Sequence, residues 1–224
     1  MKKPTTQKTL KPPLKTLISY ARVSICVAFY FVSFSAFAAE NFLEKYPSEL
    51  TQIESYLNNI KNLSAKFIQE SADGNLVEGK FFLVRGDSSS GKMRIEYLAQ
   101  PKILIVVNGS VLSYYDVELD EISHLSTNTT PASFLTRQKI SFTAKDVEIT
   151  AVKKSPDQIK VSVMKKNRKE AGEFSLIFKS NPLQFIKMEV KNDLDQITRV
   201  SLSDVDFNSV IPSKIFVIKN KNLP

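Results

Sequence analysis

Arg85 is the residue of this chain whose type fits its surroundings least. Read with a period of two, Phe81, Leu83 and Arg85 share one face of a strand, and Met93, Ile95 and Tyr97 share a face of the next, beyond a Gly/Ser connection. An unpaired guanidinium on an apolar face costs several kcal/mol. On that face Arg85 needs acceptors, and unfilled carbonyls at helix ends are the natural candidates. The other reading ends the strand at Arg85 and lets its side chain reach water.

Residue types that carry covalent or metal chemistry are scarce. His124 is the sole histidine, which removes a His-based metal cage and a Cys-His nucleophile; beside a broken pattern it reads as a surface or edge residue. Cys26 is the sole cysteine, and Ile25 before it is too large for the small residue that lipid attachment requires. Asp116, Glu118, Asp120 and Glu121 gather on one turn, where acids are ordinary turn formers. Glycoside hydrolysis needs two carboxylates facing each other across a cleft, which one loop does not supply. Phosphate loops and nucleophile elbows are missing from the sequence. The chain therefore reads as a non-enzyme, with no cofactor or metal expected.

The first 38 residues read as a secretory leader: basic residues up to Arg22, an apolar run from Val23 to Phe37, and the small-residue pattern Ala36-Phe37-Ala38, with cleavage expected after Ala38. The apolar run is short for a membrane span of about 20 residues. Without the leader the charge balance is 25 basic against 23 acidic residues, so the formal +8 of the whole chain falls to +2. That removes the case for a nucleic-acid partner, and Lys165-Lys166-Asn167-Arg168-Lys169 reads as a solvated hairpin tip. The exported part, 39–224, is expected to be one domain, without disulfides and dependent on its apolar core.

Leu50, Ile53, Leu57 and Ile60 recur at helical spacing, which predicts an amphipathic helix over 48–60 with Ser48 as its N-cap. After Asn62 the apolar period changes to two in short runs broken by turn signals, of which Ala72-Asp73-Gly74-Asn75 and Asn108-Gly109 are the clearest. Thr130-Pro131 predicts a second, short helix over 131–137 that carries Phe134 and Leu135. The apolar phase slips between Leu202 and Val205, which predicts a bulge near Ser203 or Asp204. One-sided strands with short links imply an antiparallel meander whose apolar face must be covered. The expected fold is mainly β: about ten or eleven antiparallel strands curled into an incomplete, strongly curved barrel, plugged by two or three short helices that form a lid. Fifteen Phe, seven Tyr and four Met suit either an ordinary core or a ligand cavity on that face.

These pieces, in this order, resemble the periplasmic outer-membrane lipoprotein carrier family (LolA type), most closely its alphaproteobacterial branch. The resemblance runs from about Leu50 to Phe216. It rests on Tyr56-Leu57, Leu63-Ser64-Ala65-Lys66-Phe67-Ile68-Gln69, Asp73-Gly74, Glu78-Gly79-Lys80, and Arg85 with Gly91-Lys92-Met93-Arg94-Ile95-Glu96-Tyr97. Asn108-Gly109, Tyr114-Tyr115-Asp116, Thr130-Pro131 with Phe134-Leu135, and Arg199-Val200-Ser201-Leu202 complete it. The family usually has proline after its strand-ending arginine, where this chain has Gly86 and a longer link. The resemblance implies an incomplete β-barrel with a helical lid, in which Arg85 hydrogen-bonds lid carbonyls near Leu57, Leu135 and Thr136. It implies an acyl-chain cavity lined by Leu50, Ile53, Phe67, Phe81, Leu83, Met93, Ile95, Tyr97 and Phe134. The implied partners are acylated lipoproteins as cargo, an inner-membrane ABC-type exporter that loads them and an outer-membrane receptor, with the carrier a monomer. The alternative within the same architecture is a periplasmic binder or sensor of lipids or lipoproteins that delivers nothing.

Overall fold

The computed structural model describes residues 41–85 and 91–218. The expected leader, its cleavage point and the Gly86–Ser90 link lie outside those residues. Eleven strands form one antiparallel sheet: β1 (Asn62–Glu70), β2 (Leu76–Val84), β3 (Lys92–Tyr97), β4 (Ile103–Asn108), β5 (Val111–Asp116), β6 (Glu121–Ser126), β7 (Val147–Lys154), β8 (Gln158–Lys165), β9 (Glu173–Ser180), β10 (Leu183–Lys191) and β11 (Ile197–Asp206). Their spatial order is β6-β5-β4-β3-β2-β1-β11-β10-β9-β8-β7. Two meanders are thus joined where β1 pairs with β11, and the outermost strands, β6 and β7, do not pair. The sheet is a barrel left open along one side, as the alternation implied.

β6 and β7 are consecutive in the chain, so the 127–146 segment must run from one free edge to the other. Along it Phe134, Leu135, Ile140 and Phe142 are buried in the same cluster as inward strand residues such as Leu63, Phe67, Phe81, Val107 and Phe178. The segment therefore crosses the concave face. Helices α1 (Phe42–Lys45) and α2 (Pro47–Asn59) complete the cover, and Leu50, Ile53 and Leu57 of α2 are buried in that cluster. Each such side chain contributes about 1.5–3 kcal/mol of burial, enough to hold a short helix that would be marginal alone.

Local chemistry departs from the sequence reading in three places. α2 starts at Pro47, whose missing N–H costs nothing at the first position; Tyr46 is its N-cap and supplies no side-chain bond, while Ser48 lies inside the helix and donates to Glu49. The expected helix over 131–137 is instead a pair of 3-10 turns, Thr127–Thr129 and Pro131–Phe134, and Leu135 and Thr136 follow the second. Thr130 donates its hydroxyl to the Thr127 carbonyl, and its own carbonyl accepts the Ser133 amide that opens the second turn. The two-residue hairpin turn between β4 and β5 consists of Gly109 and Ser110, with Asn108 still paired to Val111 and Gly109 at φ +63.

The predicted bulge is present: Ser64 pairs with Asp206 but Lys66 with Ser203, and Asp204 takes φ +48. Asp116 caps its turn by accepting the Glu118 and Leu119 amides, and Tyr115 donates to Asp120, so these acids shape a turn. After β11 the chain returns over the convex side, where the Ser213–Phe216 turn buries Phe216 and Arg94 donates to the Ile215 carbonyl.

Candidate lidded cavity

Arg85 follows β2 directly, its amide donating to the Lys61 carbonyl at 2.8 Å. That bond holds the residue level with the end of α2 and turns its side chain inward, where only 6 % of the residue is exposed. Nη1 donates to the Leu57 carbonyl at 2.9 Å and Nη2 to the Leu135 carbonyl at 2.6 Å. One carbonyl belongs to the last turn of α2 and the other to the crossing segment, so a single guanidinium joins both parts of the cover to the sheet. Among the described residues no carboxylate pairs with it and Nε finds no acceptor. Burial alone lowers its pKa from 12.5 to about 10, which leaves it charged at any physiological pH.

Thr136 is engaged by a different donor. Its carbonyl accepts the Gly91 amide at 2.7 Å, so the first residue after the β2–β3 link fastens the cover beside Arg85. A Cβ on Gly91 would lie 3.2 Å from Arg85 Cγ and 3.4 Å from Thr136 Cα. The cover is also tied internally. Asn58 Nδ2 donates to the Ile140 carbonyl at 2.9 Å while the Ile140 amide donates back to Asn58 Oδ1 at 2.8 Å. Glu54 accepts the Phe142 amide and the Ser141 hydroxyl, and Tyr56 accepts the Phe185 amide of β10 at 3.1 Å. α2 and the crossing segment are therefore one hydrogen-bonded unit.

Beneath it lies a cavity of about 180 Å³, lined by Phe67, Gln69, Phe81, Met93, Ile95, Tyr97, Leu135, Phe174, Met188, Val190, Thr198 and Val200. Phe67, Phe81, Met93, Ile95 and Tyr97 stand in its wall. Leu50, Ile53, Leu83 and Phe134 are packed into the core and do not line it; Phe134 stacks on Phe142, and Ile53 borders a separate polar cleft with Glu49 and Lys154. The wall residues of β9 to β11, and Gln69 with its bond from Tyr97, escaped the sequence reading. Their inward phase was visible in the alternation of Met188 with Val190, but the pairing that brings β11 to β1 was not.

The described residues hold no cluster of His, Cys, Asp or Glu able to bind a metal, and no helix among them is long and apolar enough to cross a membrane. A void on the order of 150 Å³ accommodates a benzene-sized solute in a dry apolar site. The cavity under the cover thus holds one small apolar group.

Fold and site together define a half-barrel whose apolar interior lies under a cover that a buried arginine, with the Gly91 and Phe185 amides, fastens to the sheet. The profile of the outer membrane lipoprotein carrier protein LolA matches residues 58–219, and the chain belongs to that family. It is 26% identical over 184 residues to an outer-membrane lipoprotein carrier protein of Coxiella burnetii, covering 75% of this chain and 82% of that one. It is 28% identical over 181 residues to one of Legionella pneumophila, covering 75% and 83%. A solved LolA superfamily protein from Nitrosomonas europaea aligns with a TM-score of 0.40 at 11% identity, covering 75% of this chain and 97% of that one. The family is one of carriers.

Proposed function

We propose that this protein is a periplasmic carrier that takes the acyl chains of lipoproteins into its half-barrel and shuttles them from an ABC-type exporter in the inner membrane to a receptor in the outer membrane. Its working form is a monomer of residues 39–224, exported by a leader cleaved after Ala38. The observation that carries the reading is Arg85: a buried cation whose side-chain partners are two carbonyls of the cover, over an apolar cavity. Hydrogen bonds of that kind can be broken and remade without covalent chemistry, which a cover that must open and reclose requires.

Each buried methylene contributes about 0.8 kcal/mol, so acyl chains need shelter to cross water. Apolar contacts are non-directional, which lets the same wall accept and surrender chains. In this mechanism entering chains displace the cover and break the bonds from Arg85 to Leu57 and Leu135; delivery restores them, so reclosure favours release. Gln69, Tyr97 and Thr198 aside, the wall is lined by apolar side chains.

The experiment is depletion of the protein in its own cell, followed by fractionation of acylated lipoproteins. Accumulation at the inner membrane is the expected result. Normal sorting after depletion overturns the carrier reading and leaves a binder or sensor.

A further inference from the structure

The two ends of the cavity differ in chemistry. At the end near Leu135 and Met93 the lining is apolar, whereas Gln69, Tyr97 and Thr198 bring polar atoms to the other. In β1 the inward row runs Leu63, Ala65, Phe67 and then Gln69, so a carboxamide stands where the period calls for a fourth apolar residue. At about 3.3 Å per residue it lies roughly 20 Å along the strand from Leu63, which is paired with Leu83 close to the arginine.

Tyr97 donates its hydroxyl to Gln69 Oε1 at 2.7 Å, reaching across the whole of β2. The reach depends on Gly79, which pairs with Phe67 on one side and Tyr97 on the other. The Phe67 ring occupies the space a side chain there would fill, since a Cβ on Gly79 would fall 2.2 Å from Phe67 Cζ. That ring meets Tyr97 edge-on, with centroids 5.4 Å apart. Burial raises the Tyr97 pKa, so the phenol stays a neutral donor. The bond uses Oε1 of Gln69; its Nε2 and the Thr198 hydroxyl donate to no described residue.

An acyl chain in an ester or amide has one polar group at its head, a carbonyl that accepts hydrogen bonds. Lodged in an apolar wall without a donor, that carbonyl would lose its hydration uncompensated. We infer that Gln69, with Tyr97 and Thr198 beside it, donates to the ester or amide carbonyl of a bound acyl chain, whose methyl end then points toward Leu135. The inference rests on the acyl-carrier reading above and adds an orientation and a chemical preference to it.

The test uses the purified chain of residues 39–224 and displacement of an apolar naphthylamine dye by methyl tetradecanoate and by tetradecane. Wild type is expected to prefer the ester. Gln69→Leu should reduce the ester-to-alkane affinity ratio about threefold to tenfold, the worth of one hydrogen bond. Tyr97→Phe, which keeps the ring against Phe67, should reduce it less. The infrared carbonyl band of isotope-labelled ester should lie lower in the wild-type complex than in hydrocarbon solvent, and return toward the solvent position in Gln69→Leu. An unchanged ratio and band in that variant, with the ester still bound, overturn the inference and leave the carrier reading standing. An unshifted carbonyl in the wild-type complex does the same without any variant having to fold. Failure of both ligands to displace the dye from wild type overturns the carrier reading and this inference with it.

Discussion

Replacing Arg85 with leucine removes the cation and leaves its acceptors behind, so the balance between open and closed cover can be worked through. Hydrogen bonds to charged groups contribute about 1.5–3 kcal/mol each, or roughly 3–6 kcal/mol for the pair to Leu57 and Leu135. Burial opposes them: lowering the pKa from 12.5 to about 10 corresponds to about 3 kcal/mol of lost hydration. The net hold is then roughly 0–3 kcal/mol, a fastening weak enough for cargo to break. In Arg85→Leu the desolvation cost disappears with the cation, and Leu57 keeps its bond from the Ile60 amide at 3.3 Å. The Leu135 carbonyl, by contrast, stays buried without its donor in the closed form and costs about 1–3 kcal/mol there. Opening hydrates it, so the equilibrium moves toward the open form by about fivefold to 150-fold. Hydrogen exchange at the Gly91 and Phe185 amides, which bond the cover at Thr136 and Tyr56, should quicken accordingly. In a reconstituted transfer assay with a triacylated lipopeptide, the variant should load and then deliver poorly, because reclosing recovers nothing. Native exchange at both amides together with native delivery refutes the latch.

Three further perturbations probe the elements that hold the site. Gly79→Ala sets a methyl group against the Phe67 ring and 2.4 Å from the Glu96 carbonyl; overpacking of this kind costs about 1–3 kcal/mol, and thermal unfolding together with reduced dye uptake should record it. Asn58→Ala deletes both bonds to Ile140 and should lower stability by about 1–3 kcal/mol in urea, with exchange quickened across 139–142 and unchanged in β9 and β10. Glu49 is held at a pKa of about 2, against 4.5 unperturbed, first by its hydrogen bond from Lys154 and then by that from Ser48. Its folded pKa lies below the unfolded one, so its stabilisation is complete above pH 4.5 and fades as pH falls toward 2. Glu49→Gln should therefore cost about 0.2–1 kcal/mol at pH 7 and nothing measurable at pH 2, as read by urea titration at the two pH values.

Most of the fold could be read from the chain because most strands alternate apolar with polar residues, and a period of two records that directly. In β1, Leu63, Ala65 and Phe67 are buried while Ser64, Lys66 and Ile68 are not, whereas β9 buries Phe174 through Phe178 on both faces. Arg85 was legible for the converse reason, as a charge standing in phase with the apolar row it joins. The crossing segment was harder, since two 3-10 turns impose no long period on their side chains. Gln69 with Tyr97 was out of reach for a geometric reason. The two residues meet over an intervening strand, which requires knowing the β1–β2–β3 register and that Phe67 lies across Gly79. The far wall, including Val190 and Val200, needs the closure of β11 on β1, the pairing farthest apart in sequence.

The missing pairing between β6 and β7 has a mechanical consequence. In a closed barrel, strand number and stagger fix the girth, and any change in bore must break or shift hydrogen bonds between strands. Here the margins are free, so the container can flex about its β1–β11 midline with every ladder intact. Its capacity of about 180 Å³ under the cover is therefore not fixed by a closed ring of strand pairings.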